Sequence, residues 1–310
     1  MSRKALLIVG LGARHRAREI RAFCATRHVP AMVTYKAKGV VPDRDPWFAG
    51  VFTNGALEQE IIDQADLLIT AGLDRVELLP RPWTFRQPVA DFDDAREQLA
   101  TSTWDLAALQ KTIASQREKL SVRSAGLQPD RVIALASEAM PNARVTVDAG
   151  AHMFPATLLW PVAEPGDFLI SNGLSTMGFA VPAAVGAALV DRDRIVVALT
   201  GDGGLLMCLG ELATLARERL RVAVIAFNDA ALTLIDVKQR QRQFASAGVA
   251  LGDVRWPSIA ESFGVAAHVA ASEPELRAAL DAAARHAGPT LIDAHIDPAP
   301  YAEMIRIVRG

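Results

Sequence analysis

The chain has 310 residues, with 33 Lys plus Arg against 35 Asp plus Glu and a formal net charge of −2. That length suits two domains of ordinary size, and a composition 51 % hydrophobic and 22 % charged excludes a disordered chain. Near-neutral charge without a basic block gives no electrostatic case for nucleic acid, and no apolar run reaches the ~18 residues of a membrane-spanning helix. The chain opens with a predicted strand, Ala5 to Val9, running into Gly10-Leu11-Gly12; the apolar part is too short for a signal peptide. Arg14 to Thr26 has helical spacing through Ile20, Phe23 and Cys24. Val29 to Thr34 reads as a second strand, Leu57 to Ala65 as a helix, Leu67 to Ile69 as a third strand and Pro88 to Phe92 as a fourth. This alternation predicts a parallel sheet with helices on both faces, spanning residues 1–93.

Residues 94–127 are polar and helix-prone, with Trp104, Leu106 and Leu109 as a sparse apolar stripe, and read as a helical linker. A second domain, 128–310, opens at Pro129 with a helix to about Ala139. Val145 to Val147, Ile195 to Leu199, Val222 to Phe227 and Pro289 to Ile296 are its predicted strands. Helices are expected from Pro182 to Val190, Leu205 to Arg219, Ser258 to Phe263 and Glu273 to His286. Tyr301 to Arg309 reads as an amphipathic helix suited to docking on a partner. The fold class expected is therefore α/β: two doubly wound three-layer αβα domains with mainly parallel sheets. Cys24 and Cys208 both lie in apolar helical patterns, which predicts no disulfide framework and a reducing cytoplasm.

Ligands of open α/β sheets bind beyond the carboxyl ends of the strands. Here those ends carry Asp148-Ala149-Gly150-Ala151-His152, Gly201-Asp202-Gly203-Gly204 and Asn228-Asp229-Ala230-Ala231, with a further turn at Asn172-Gly173-Leu174-Ser175-Thr176-Met177-Gly178. A strand, a glycine turn and a helix start at 201–204 form an anion site suited to phosphate, where Gly203 and Gly204 let the anion approach. Asp202 within such a site would repel phosphate unless a divalent cation lay between them. Magnesium takes oxygen ligands of this kind. Asp229, one helix and one strand further on, falls at an adjacent strand end, and the Ala231 carbonyl offers a third protein oxygen.

Gly201-Asp202-Gly203, followed by Asn228-Asp229, resembles the cofactor signature of thiamine diphosphate enzymes. The stretch Gly173 to Pro182 and the Asp148 to His152 loop resemble the same superfamily, that of acetolactate synthase, pyruvate decarboxylase and benzoylformate decarboxylase. The resemblance covers nearly the whole chain, as a shortened central domain carrying Val29-Pro30, Thr34 and Lys38-Gly39-Val40 and then a diphosphate-binding domain. It implies that Asp202, Asp229 and the Ala231 carbonyl hold Mg²⁺. Gly201, Gly203 and Gly204 would meet the diphosphate, over which the loop of Gly150, Ala151 and His152 would close. Met177 would hold the cofactor folded, the Ser175 carbonyl would accept from its 4′-amino group, and Leu234 would also line the cofactor. The chemistry implied is attack on a 2-oxo acid, loss of CO₂ and spreading of the remaining charge into the thiazolium ring.

Two departures qualify that resemblance. Asp229 stands where relatives usually have a second Asn, which adds charge beside a diphosphate. Leu232, Leu234 and Ile235 are apolar where the group's decarboxylases often place an acid, which leans towards a carboligase or an apolar acyl site. Members of the superfamily also carry an N-terminal pyrimidine-binding domain with an activating glutamate, whereas this chain opens in the central domain. Glu211 is the best candidate near the site for that glutamate's role, and it reads as a solvated or capping residue. The expectation is one subunit of a split lyase or carboligase in a homo- or hetero-oligomer, with a separate polypeptide bringing the glutamate. The alternatives are a non-catalytic cofactor-binding or regulatory paralogue, or a truncated enzyme. An NAD- or FAD-binding oxidoreductase using residues 1–93 is a third reading. It rests on Gly10-Leu11-Gly12-Ala13-Arg14-His15, a dinucleotide-like turn with His15 in place of the third glycine.

Overall fold

The computed structural model describes residues 3–171 and 173–310. Met1, Ser2 and Asn172, the last expected in the turn before Pro182, lie outside the described residues. The chain divides into two compact units, each doubly wound. The first comprises 1–120, 161–168 and 305–310, and the second 121–160 and 169–304.

The sheet of the first unit contains β1 (Ala5–Val9), β2 (Ala31–Val33), β3 (Phe48–Val51), β4 (Leu67–Ala71) and β5 (Val89–Asp91), in the order β3-β2-β1-β4-β5. All four of its pairings are parallel. Leu6, Ile8, Met32, Phe52, Ile61 and Leu68 form the core on one face. Leu109 and Ile113 of the helix Leu106–Leu120 belong to that same core, so part of the segment expected as a linker packs as an integral helix. The buried Lys38 ammonium donates to Asp43 Oδ1 at 2.6 Å, while Asp43 Oδ2 accepts from the Val162 amide at 3.1 Å. The last residues also close this unit. The Ala56 amide donates to the Val308 carbonyl at 2.9 Å, and Val308 is fully buried. The apolar stripe of the helix Pro300–Arg309, with Tyr301, Met304, Ile305 and Val308, is buried within this chain rather than left for a partner.

The second sheet contains β6 (Arg144–Val147), β7 (Phe168–Ile170), β8 (Val196–Gly201), β9 (Val222–Asn228), β10 (Ala266–Ala270) and β11 (Thr290–His295), in the order β10-β11-β9-β8-β6-β7. Its central strands are apolar throughout because helices cover both faces; Val196 to Leu199 have no exposed surface. The winding reverses at β6 and β8, so the ends of β6, β8 and β9 lie side by side. Three strands go beyond the sequence expectation. β3 contains Gly50 at φ 108°, β7 is three residues long, and β10 is the alanine-rich Ala-Ala-His-Val-Ala. In each, pairing with a neighbouring strand overrides a weak local preference. The helix expected over 205–219 is two helices, Asp202–Met207 and Glu211–Arg217.

Candidate functional site

The turn after β8 has no slack. Gly201 is extended, and the helix Asp202–Met207 begins at the next residue. Asp202 is only 4 % exposed. Its Oδ1 accepts from the Gly203 amide at 2.7 Å, while its buried Oδ2 makes no full hydrogen bond among the described residues, although the Ala230 and Asp229 amides lie near enough to favour the ionised carboxyl. Burial, and then the negative charge of Asp229, push this carboxyl up to about 6. An ionised, half-satisfied carboxylate in such a place is costly unless a proton or a cation meets it.

Asp229 follows β9, the hydrogen-bonded neighbour of β8. Burial raises its carboxyl too, and the Thr233 hydroxyl donates to its Oδ2. The peptide turns back through Ala230 at φ 56°. The Leu251 amide donates to the Ala230 carbonyl at 2.9 Å, and the Leu232 amide to the Val249 carbonyl at 2.8 Å. Ala231 and Ala250 are therefore the pair between those bonds, and the Ala231 carbonyl faces away from segment 249–251. No third His, Cys, Asp or Glu joins such a cluster among the described residues. The two carboxylates, close enough for one to raise the other, are hard oxygen donors of the kind magnesium accepts.

Asp148, after β6, was named in the sequence only as part of a loop; in the structure it is the hub of the site. It is fully buried. Its oxygens accept from the Phe179 amide at 2.6 Å, the Ala180 amide at 2.7 Å, the Gly178 amide at 3.0 Å and the Thr200 hydroxyl at 2.7 Å. One carboxylate thus joins the end of β8 to the first turn of the helix Ala180–Val190, where negative charge is favoured. A Cβ on Gly204 would lie 2.2 Å from Asp148 Oδ2, so glycine there admits this carboxylate as well as any phosphate.

The segment before that helix carries Ser175, exposed and at φ 50°, and Met177, half-buried. The Thr176 amide donates to Ser171 Oγ at 3.0 Å. Met177 reaches Gly203: a Cβ on Gly203 would meet Met177 Cε at 3.5 Å, Leu251 Cδ1 at 3.4 Å and Leu232 Cδ2 at 2.5 Å. Leu232 is the side chain that covers the glycine turn. Leu234 is half-buried on the helix Thr233–Gln241.

His152 is buried rather than free at the surface, with its ring stacked on Phe227 at 5.3 Å between centroids. A Cβ on Gly150 would strike that ring at 2.6 Å, and one on Gly201 would touch it at 3.5 Å. Burial lowers its pKa to about 4 against the opposing pull of Asp148, so the imidazole is neutral at pH 7. Its Nε2 is buried without a partner. Ala151 is buried beside it. Glu211 is half-buried in the first turn of its helix, the position of an ordinary dipole partner.

Two groups were missed in the sequence. Tyr301 is buried close enough to Asp229 and Asp202 for their charges to add to the burial that raises its phenol. Asp293, on β11, accepts from Asn228 Nδ2 at 2.8 Å and pairs with His295 Nε2 at 3.0 Å, which fixes the residue before Asp229. Both lie more than 60 residues downstream of Asp229, and only the sheet order brings them near.

Residues 1–115 match the central domain of thiamine pyrophosphate enzymes, and residues 148–294 match their C-terminal TPP binding domain. The chain is 30 % identical to acetolactate synthase isozyme 1 large subunit of Escherichia coli (strain K12), over 96 % of this chain and 59 % of that protein. It is 26 % identical to acetolactate synthase of Bacillus subtilis (strain 168), over 94 % and 58 %. A putative thiamine pyrophosphate-containing protein of the same Bacillus strain is also 26 % identical, over 96 % and 58 %. The chain spans about three-fifths of the length of these curated relatives.

Proposed function

This chain belongs to the thiamine pyrophosphate enzymes through their central and C-terminal domains, and from that premise we propose that it is a subunit of a thiamine diphosphate- and Mg²⁺-dependent lyase or carboligase acting on 2-oxo acids, resembling acetolactate synthase. The observation that carries the reading is the buried Oδ2 of Asp202, which makes no full hydrogen bond among the described residues and feels the charge of Asp229. It fits a hard dication bridging protein carboxylates to a diphosphate. Asp202, Asp229 and the Ala231 carbonyl would hold the metal, and the amides of Gly203 and Gly204 would face the diphosphate. Met177 and Leu232 would keep water from the reacting end. The bound cofactor would supply an electron sink for the carbon left when CO₂ departs. Apolar Leu232 and Leu251 over the turn support an apolar acyl site and hence carboligation.

The reading includes a partner chain carrying the pyrimidine-binding domain and its glutamate, in a cytoplasmic oligomer. Its support is the exposed apolar side chains of the elements framing the turn. Leu174 is 90 % exposed, Met207 63 %, Phe244 63 % and Ile235 43 %. Exposed apolar side chains of this size are what a covering chain would bury. The test is calorimetry with thiamine diphosphate, with and without Mg²⁺, on the parent and on Asp202→Ala. Saturable binding that needs Mg²⁺ and is lost in the variant is expected; equal binding by both proteins would overturn the assignment. Turnover on mixing with a pyrimidine-domain chain separates the enzyme from a non-catalytic cofactor-binding paralogue.

A further inference from the structure

The Gly10-Leu11-Gly12 turn is not used by that function. The sheet order β3-β2-β1-β4-β5 puts the winding reversal of the first unit between β1 and β4, where an open α/β sheet binds its nucleotide. The turn after β1 sits there, facing Gly72-Leu73-Asp74 after β4. A dinucleotide site needs amides aimed at the pyrophosphate. Here four successive amides are already used inside the protein. Gly10 donates to the Ala71 carbonyl at 2.8 Å, Gly12 to the Gly72 carbonyl at 2.9 Å, and Ala13 to the Gly10 carbonyl at 3.1 Å. Leu11 donates to Glu77 Oε2 at 2.9 Å.

Glu77 is 7 % exposed. Its other oxygen accepts from the Thr34 hydroxyl, after β2, at 2.5 Å, and Oε2 also receives the Asp74 amide at 3.3 Å. One carboxyl group therefore gathers the ends of β1, β2 and β4. The glycines serve close packing between the two turns. A Cβ on Gly10 would lie 2.4 Å from the Gly72 carbonyl oxygen, and one on Gly72 would lie 2.3 Å from the Ala13 amide nitrogen. An open groove of about 610 Å³ remains outside, lined by Leu11, Gly12, Gly72, Leu73, Asp74 and Arg75.

We infer that Glu77 is a built-in acceptor that closes the nucleotide position of the first unit, so that this unit holds its shape without a ligand and takes neither a flavin nor a nicotinamide dinucleotide. A phosphate arriving there would have to displace a buried carboxyl from three donors, and nothing in the turn would repay that loss. This inference is independent of the thiamine diphosphate site.

The test titrates the full-length chain with FAD, NAD⁺ and ADP by calorimetry. No saturable heat is expected with any of them; one-to-one binding of any would overturn the inference. A second arm measures hydrogen exchange at the Leu11 amide. Glu77→Gln, whose amide can face both Leu11 N–H and Thr34 Oγ, should keep protection. Glu77→Ala should lose about tenfold or more, the equivalent of one lost buried acceptor. Unchanged protection in Glu77→Ala would also sink the idea. Should that variant fail to fold, the titrations of the parent still decide.

Discussion

At Asp202 burial and charge oppose ionisation together, and the consequence can be measured. The folded chain holds this proton up to about pH 6, against 3.8 for an ordinary aspartate. The folded state therefore binds more protons than the unfolded one between those values, and the stability of the metal-free protein falls as pH rises from 3.8 through 6. The loss is on the order of 3 kcal/mol once ionisation is complete. Asp202→Asn removes it. In chelator the variant should melt above the parent at pH 7.5, and the gap should close near pH 4. Adding Mg²⁺ should raise the parent and leave the variant unmoved. Thermal melts at the two pH values check this, and a variant that melts below the parent at pH 7.5 would contradict it. The sequence already marked Asp202 and Asp229, because a glycine turn and an Asn-Asp pair after apolar strands are local patterns. The work of Asp148 was not legible. Its donors are Gly178, Phe179, Ala180 and Thr200, 30 to 52 residues away, and only the folded sheet gathers them. Leu232 was noted as apolar, but nothing local says that it overlies Gly203.

Among the elements, the helix Thr233–Gln241 stands apart. It follows directly on the Asp229 turn yet buries none of its side chains. By contrast the helix Ala180–Val190 buries six, from Ala180 to Ala188. Helical stability comes mostly from a packed face, so the first helix should open far more readily. Amide exchange in 233–241 is expected to be at least about a hundredfold faster than in 180–190, the equivalent of ~3 kcal/mol of missing burial. A partner that covers Ile235 and Phe244 should slow it. Equal exchange in the two helices would show that 233–241 is rigid on its own. The same contrast separates the elements that were legible from those that were not. β8 and β9 open as continuous apolar runs and were placed within two residues of their observed ends. β10 was left unassigned in the sequence, because Ala-Ala-His-Val-Ala has little strand preference until β11 pairs with it over five residues. The helix Met153–Leu159 was missed because Pro155 lies inside it and nearly every residue is buried, which erases the periodic signal.

Across the whole molecule, the first unit is not a continuous stretch of chain. Residues 161–168 and 305–310 complete it. The Val162 amide is received by Asp43 at 3.1 Å, and a Cβ on Gly55 would lie 2.3 Å from the Val308 carbonyl oxygen, so these late segments are fitted closely. Val308→Ala should cost the first unit about 2 kcal/mol through the cavity it leaves. Hydrogen exchange at Leu6 to Ile8 of β1 should accelerate accordingly, while Val197 to Leu199 of β8 keep their protection. Uniform acceleration of both strands would instead mean that the chain unfolds as one cooperative body. The two α/β units were legible from the alternation of strands and helices. The late closure was not, because it depends on which distant residues fill the remaining space.

That closure bears on how the protein is made. A ribosome delivers β1 to β5 long before residue 308 leaves the exit tunnel, so the first unit lacks its last segment while the second unit is synthesised. During that interval the nascent chain exposes the surfaces that Ile305 and Val308 later cover, and a holding chaperone would find its purchase there.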